Sequence, residues 1–369
     1  MQYPVTPYYV FKEKDFIDNY KSFFDTFRKY YSSYQIAYSY KTNYTPYICK
    51  LVKELGGYAE VVSKMEYDLA RRIGYDDSRI IFNGPCKGIF PPCLLNVDSL
   101  SEIEKTEDHE IGIRINIDVG QGFVSRFGID ESELDKAFEM AKDRIIGIHC
   151  HISQARSLEA WKKRTEIMLK IADKYFGEKG PKYIDLGSGM YGDMNESLKS
   201  QFSDVPSYED YASVVGGLFA DHYKGDQKPI LFTEPGTTLI NKYIEFVCKV
   251  ESIKHIKGKT FVTLDGSKNN LGEICELKKL PIRIEQLGTD PEDLEGALLM
   301  GYTCLEHDVM LKEFTGKLSE GDIITFENVG GYSLVSKPPF IRPNCPMFNE
   351  DGKLLKREET DKEIFVTYE

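Results

Sequence analysis

Eight short apolar runs, most of them separated by helical patterns, occupy residues 34–233 and limit what this chain can fold into more than any other feature. They are YQIAY (34–38), YAEVV (58–62), RIIF (79–82), LLNV (94–97), IGIRI (111–115), IIGIH (145–149), KYIDL (182–186) and PILFT (229–233). Near-continuous apolar runs of this length read as strands covered on both faces, the signature of a parallel sheet flanked by helices. Phe16, Tyr20, Phe23, Phe24 and Phe27 form a helical stripe ahead of the first run. Asp130, with Glu133 three residues on, opens a second helix with Leu134, Ala137, Phe138 and Ala141 on one face. A third carries Trp161, Met168, Ile171, Ala172 and Tyr175, whereas GPCKGIFPPC, between the third and fourth runs, offers no helix. Eight strands alternating with helices predict a (β/α)8 TIM-type barrel.

The pattern changes near residue 241. Beyond it come YIEFVCKV (243–250), KTFVTLDG (259–266), DIITFENV (322–329) and EIFVTY (363–368), strand-like runs with few convincing helices between them. They predict a second, mainly antiparallel β domain, which PYYVFK near the N-terminus is placed to join. The expected division is a barrel over 12–240 and a β domain from 1–11 with 241–369. The stretches 190–207 and 266–300 are expected to be loops at the substrate end of the pocket.

Lys+Arg 47 against Asp+Glu 59 gives a net charge of −12, which makes nucleic acid and anionic membranes poor partners. No run approaches the roughly 18 apolar residues of a membrane helix, and MQYPVTPYYV lacks a signal-peptide layout. The 8 cysteines contain no CxxC pair, against a disulfide scaffold or zinc finger. These features point to a cytoplasmic enzyme with a small-molecule substrate.

Chemistry in such a barrel gathers where strands end. Just beyond or at the ends of the predicted strands stand Lys41, Asn83, Arg114, His149, His151, the Gly187-Ser188-Gly189 turn and Glu234. A lysine, an imidazole, a carboxylate and a glycine turn suit a phosphorylated carbonyl cofactor, because a lysine forms an imine and glycines let backbone N–H groups approach phosphate. His149-Cys150-His151 also suggests a metal pair, but no third ligand follows at convincing spacing, so no metal is expected.

In order along the chain, AYSYKTN (37–43), IFNGPCKG (81–88), RFGI (126–129), IHCHISQ (148–154), IDLGSGM (184–190), TEPG (233–236), GYTCLEHD (301–308) and ENVGGYS (327–333) resemble the fold-type III, pyridoxal-phosphate-dependent amino-acid decarboxylases, the group of diaminopimelate and ornithine decarboxylases. The resemblance implies an alanine-racemase-like architecture, pyridoxal 5′-phosphate as cofactor, and a homodimer with shared active sites. By that similarity Lys41 holds the cofactor covalently and then moves protons, His151 stacks on the ring, and Glu234 pairs with the ring nitrogen. Gly187, Ser188, Gly189 and Ser153 bind the phosphate, with Tyr332 reaching in from the partner subunit. Cys304, also from the partner, protonates the carbon after CO₂ leaves.

The chain departs from the family pattern in three places. Thr237 stands where an arginine commonly follows Glu-Pro-Gly, Leu305 stands where an acidic residue commonly follows the cysteine, and HISQ lacks the usual glycine before the serine. Substrate contacts are expected from Leu305, Glu306, Asp308 and Arg114. An unpaired, desolvated ammonium is costly, so a leucine at 305 favours a diamino-acid-like substrate with a conjugated tail, in a specialised biosynthesis. The alternatives are an ordinary diaminopimelate decarboxylase making lysine, an amino-acid racemase, and a non-catalytic regulatory homologue. Glu234 and Cys304 argue against the racemase, and the retained lysine and cofactor contacts argue against the homologue.

Overall fold

A computed structural model describes residues 5–368 apart from 121, 123 and 227. Residues 1–4 and 369, at the two ends of the expected β domain, lie outside the described residues. The chain divides into two compact units: Asp18–Gly192 with Asp204–Thr238, and Met1–Ile17 with Asp193–Ser203 and Leu239–Glu369. No described helix is long and apolar enough to cross a membrane.

After β1 (Tyr8–Phe11), which belongs to the sheet unit, the barrel unit holds β2 (Tyr34–Ser39), β3 (Tyr58–Val61), β4 (Ile80–Phe82), β5 (Leu94–Val97), β6 (Ile111–Asn116), β7 (Ile129–Asp130), β8 (Ile145–His149), β9 (Tyr183–Asp185) and β10 (Ile230–Thr233). The order β5-β4-β3-β2-β10-β9-β8-β6, closed by β5 pairing with β6, is an eight-stranded parallel barrel, and β7 adds a short parallel pairing to β6. Every apolar run of the sequence reading coincides with one barrel strand to within a residue at either end.

Side chains alternate along each strand, so residues two apart share the barrel interior. Ala37, Ile81, Tyr183 and Phe232, from four strands, form one buried cluster. Gly112 and Gly147 are small because the Tyr183 ring lies against them: a Cβ at Gly112 would meet the Tyr183 hydroxyl, and one at Gly147 would fall on its ring. That space lets the hydroxyl donate to Asn96 Oδ1 at 2.7 Å. The helix Glu13–Tyr30 forms on the predicted stripe, with Phe27 stacked on Tyr34 at 4.6 Å. Leu134–Ala141 and Leu158–Phe176 are also helical, and Asp130 accepts a hydrogen bond from Ser132 N–H in the turn leading into the former.

The sheet unit contains β11 (Ile244–Ile256), β12 (Lys259–Leu264), β13 (Ile282–Glu285), β14 (Glu292–Met300), β15 (Val309–Leu318), β16 (Ile323–Phe326), β17 (Met347–Asn349) and β18 (Leu354–Lys356). Its order is β15-β14-β12-β11-β1-β17-β18, with β16 pairing β11 and β13. Most pairings are antiparallel, but β1 with β17 and β12 with β14 run parallel, so the sheet is mixed. β11 serves two neighbourhoods: its first half pairs with β1 and β16, its second half with β12, across a register shift at Val250/Ser252.

Two expectations fail here. EIFVTY is not a strand: Asp361–Phe365 is helical, because Thr360 accepts the Glu363 N–H while Glu363 accepts the Thr360 N–H, a capping box that outweighs the β-branched composition. The stretch 266–300 is not one loop, since it contains β13 and all of β14.

Candidate active site

Lys41 follows β2 in the short helical turn Tyr40–Thr42. Its ammonium donates to Ser39 Oγ at 2.7 Å and to Glu60 Oε2 at 2.5 Å. Glu60, on β3, is only 1% exposed and accepts the Ser39 hydroxyl as well. Asn83, just past β4, donates to Glu60 Oε1 at 3.1 Å and also to Glu234 Oε1. Its own oxygen accepts from Asn96 Nδ2 at 2.9 Å. A continuous chain of hydrogen bonds therefore runs from Tyr183 through Asn96 and Asn83 to both carboxylates.

Glu234 follows β10 and is 1% exposed. His149 Nε2 lies 3.4 Å from its Oε1, and His151 Nδ1 lies 3.5 Å from its Oε2. Burial alone would push this carboxyl up, but its neighbours, His149 first and Lys41 after it, outweigh burial and hold Glu234 well below the usual carboxylate range. Burial lowers His151 to about 4, against the pull of Glu234. Its neutral imidazole accepts the Ser188 N–H at Nδ1, 3.1 Å away, which fixes the ring beside the glycine turn. Asp185, register partner of His149, completes the cluster: ligand-type atoms of His149, Asp185 and Glu234 all lie within 4.8 Å of one another.

Gly187 and Gly189 sit at φ +66° and +102°. A Cβ at Gly187 would lie 2.9 Å from His151 Cα, and one at Gly189 would lie 2.7 Å from the Ile152 carbonyl. Both positions thus need glycine for backbone conformation and for space. Arg164, fully buried and stacked 4.0 Å over Trp161, donates to the carbonyls of Leu186, Ser188 and Ile152. One side chain on the helix Leu158–Phe176 thereby ties the glycine turn to the segment that carries His151. Beside them a cavity of about 290 Å³ is lined by Arg114, Arg126, Phe127, His151 and Ser153 among others. Arg114 is 3.4 Å from Asp98 and stacks on Phe127.

In the sheet unit, Cys304, Leu305 and Glu306 are exposed on the turn between β14 and β15. Asp308, expected among the substrate contacts, stands two residues beyond Glu306. It is buried, with Oδ1 accepting from Ser267 Oγ and Lys268 N–H and Oδ2 accepting from Thr303 N–H and Oγ1. Its carboxylate anchors that turn. Tyr332 is 37% exposed on a left-handed backbone (φ 57°), a conformation rare for a non-glycine residue. Thr237 begins the short helix Thr237–Ile240 and is half-buried.

The barrel unit brings together Lys41, His151, Glu234, Ser153, Arg114 and the Gly187-Ser188-Gly189 turn. Sequence reasoning missed Glu60, Asp185 and Arg164. The signal for the first two is an acid inside an otherwise apolar strand, YAEVV and KYIDL; for Arg164 no local pattern separates it from the exposed cations of its helix.

Comparison with known families matches residues 17–241 to the pyridoxal-binding domain of the pyridoxal-dependent decarboxylases and residues 239–330 to their C-terminal sheet domain. A diaminopimelate decarboxylase of Methanothermobacter thermautotrophicus is 26% identical over 364 residues, covering 89% of this chain and 82% of the relative. The crystal structure of diaminopimelate decarboxylase from M. jannaschii superposes with a TM-score of 0.85 at 24% identity, over 98% of this chain and 91% of that one. The Helicobacter pylori enzyme, solved with L-lysine, gives 0.82 at 24% identity, over 99% and 97%.

Proposed function

Because this chain belongs to the pyridoxal-dependent decarboxylases, and so is a pyridoxal-phosphate-dependent carboxy-lyase acting on an amino acid, we propose that its substrate is a diamino acid whose distal nitrogen is conjugated. The observation that carries this reading is the turn after β14: Leu305 is exposed next to Cys304, and Asp308 is committed to the turn's own donors. An apolar side chain there leaves a free distal ammonium without a counter-charge.

The barrel residues suit the cofactor. When bound, pyridoxal phosphate supplies an electron sink for the carbanion left as CO₂ departs. Lys41 is placed to hold it and to move protons, with Glu60 and Ser39 orienting the amine. Glu234, ionised and dry, offers a negative partner to the ring nitrogen, and the neutral His151 ring, fixed by Ser188, offers a face to stack on. The positive-φ glycine turn presents N–H groups to a phosphate, with Ser153 alongside. We assign Cys304 and Tyr332 to the active site of a second copy of the chain, Cys304 as the proton donor.

Two observations favour a second reading, meso-diaminopimelate as substrate: the curated relatives carry the name diaminopimelate decarboxylase, and Glu306 stands exposed one residue beyond Leu305. The test is CO₂ release from cofactor-loaded protein with lysine, ornithine, arginine and meso-diaminopimelate, each beside tail-conjugated diamino acids. Release from a conjugate but not its free parent supports the conjugated-tail reading; efficient release from meso-diaminopimelate replaces it with the second.

A further inference from the structure

We infer that Asp185 is a neutral carboxylic acid that gives its hydroxyl to Glu234, making it the positioning residue for the carboxylate assigned to the cofactor ring nitrogen. Asp185 and Glu234 are 0% and 1% exposed, and with His149 they are clustered at the ends of three adjacent strands. Asp185 Oδ1 accepts the Gly187 N–H at 2.8 Å, but Oδ2 meets no donor among the described residues. Asn83 Nδ2 is directed to Glu234 and Glu60, and Lys41 to Glu60 and Ser39, while the third member of the cluster, His149, turns Nε2 toward Glu234 Oε1 at 3.4 Å and makes no hydrogen bond to Asp185 among the described residues. As a carboxylate, Oδ2 would be a buried charge with no donor beside a second carboxylate. As a hydroxyl it becomes the donor, and Glu234 the acceptor.

Two buried carboxyls this close retain one proton between them. Glu234 accepts from Asn83 Nδ2 and has Lys41 and the His149 ring on its side of the pair, so it is the ionised member; Asp185 has one amide, and burial followed by the charge of Glu234 pushes it well above the usual range. The groups bearing on the pair are Glu60 from β3, Lys41 after β2, and His149 and His151 at the end of β8. Tyr34, Tyr183 and Cys150 also feel Asp185, but burial raises all three, which keeps them neutral at working pH. The arrangement leaves one net negative charge beneath the ring rather than two, and it ties that charge to the phosphate turn, since Asp185 holds the Gly187 N–H with its other oxygen.

Asp185→Asn preserves both bonds, with Oδ1 accepting from Gly187 and Nδ2 donating to Glu234; Asp185→Leu preserves neither. The first measurement is infrared spectroscopy of the apoprotein at about pH 8, above the value near 7 to which burial raises Glu66. The wild-type minus Asp185→Asn spectrum is expected to contain a protonated-carboxyl band; its absence overturns the inference. The second is the pH titration of the bound cofactor's absorbance. Asp185→Asn is expected to match the wild-type midpoint within a few tenths of a unit and to bind cofactor within about threefold, while Asp185→Leu binds it roughly tenfold or more weakly. A midpoint shifted by about one unit or more in Asp185→Asn would mean that a charge had been removed, and also overturns the inference. The link to the ring nitrogen rests on the proposed cofactor site: wild-type protein that takes up no pyridoxal phosphate refutes that reading, while the infrared band still decides the state of Asp185.

Discussion

Gly147→Ala should damage the barrel through a single side chain, Tyr183. The new Cβ would fall on the Tyr183 ring, which is buried on β9 between β8 and β10. Overpacking of this kind costs about 1–3 kcal/mol. Displacing the ring also breaks the hydroxyl's 2.7 Å bond to Asn96, worth about 0.5–1.5 kcal/mol more. A total of about 1.5–4.5 kcal/mol, at roughly 2–4 °C per kcal/mol for a domain of this size, lowers the apoprotein Tm by roughly 3–18 °C. The decisive assay is a double-mutant cycle with Tyr183→Leu, followed by differential scanning calorimetry. Leucine removes the ring atoms that the Cβ would strike, so Gly147→Ala should cost less than about 0.5 kcal/mol in that background, a large coupling for residues in contact. Equal costs in both backgrounds would refute the account of why glycine occupies this position.

Glu66→Gln should change the pH dependence of stability. The Glu66 carboxyl, which accepts the Val62 N–H, is raised by burial to about 7 in the folded chain. Its contribution is therefore fully present below about pH 4.5 and is lost as pH rises through about 7, up to roughly 3 kcal/mol; denaturant titrations should show Glu66→Gln gaining on wild type over that window. Gly187→Ala, which imposes a positive φ on alanine and crowds His151, should weaken cofactor binding at least about tenfold, measured by fluorescence titration. Leu305→Glu supplies a carboxylate beside Cys304 and should raise kcat/KM for lysine or meso-diaminopimelate by about tenfold or more relative to conjugated substrates; no change would separate Leu305 from tail selection.

The barrel was legible because its strands are buried on both faces and bounded by turns, so apolar runs alone mark them. The sheet unit was less so. β14 and β15 mix buried and exposed residues without strict alternation, and their pairing slips register at several places, so EDLEGALLM and VMLKEFTGKL show no clean period. EIFVTY shows the converse: β-branched and aromatic residues suggest a strand, while the deciding cap at Thr360 lies upstream of the run. In the site, Lys41, His151, Glu234 and the glycine turn could be read from their positions at strand ends. Glu60 and Asp185 showed only as acids inside apolar strands; their roles could not be read, because these depend on neighbours on other strands. The burial of Asp308 was hidden for a related reason: an acid near Cys304 in the chain looks exposed until its four donors are seen.

β1 lies between β11 and β17, pairing Tyr8–Phe11 with Ile244–Val247 on one side and Tyr9–Phe11 with Met347–Asn349 on the other. This placement orders events during synthesis. Every residue of the barrel unit, the last being Thr238, leaves the ribosome before the first strand that can pair with β1. The nascent chain therefore carries YYVF as an apolar edge without a partner while the whole barrel is translated, and the seam with β17 closes only when synthesis has passed Asn349. A short solubilising segment ahead of Tyr8 would shield that edge through the interval, whereas a stalled chain ending before Ile244 would leave it permanently open.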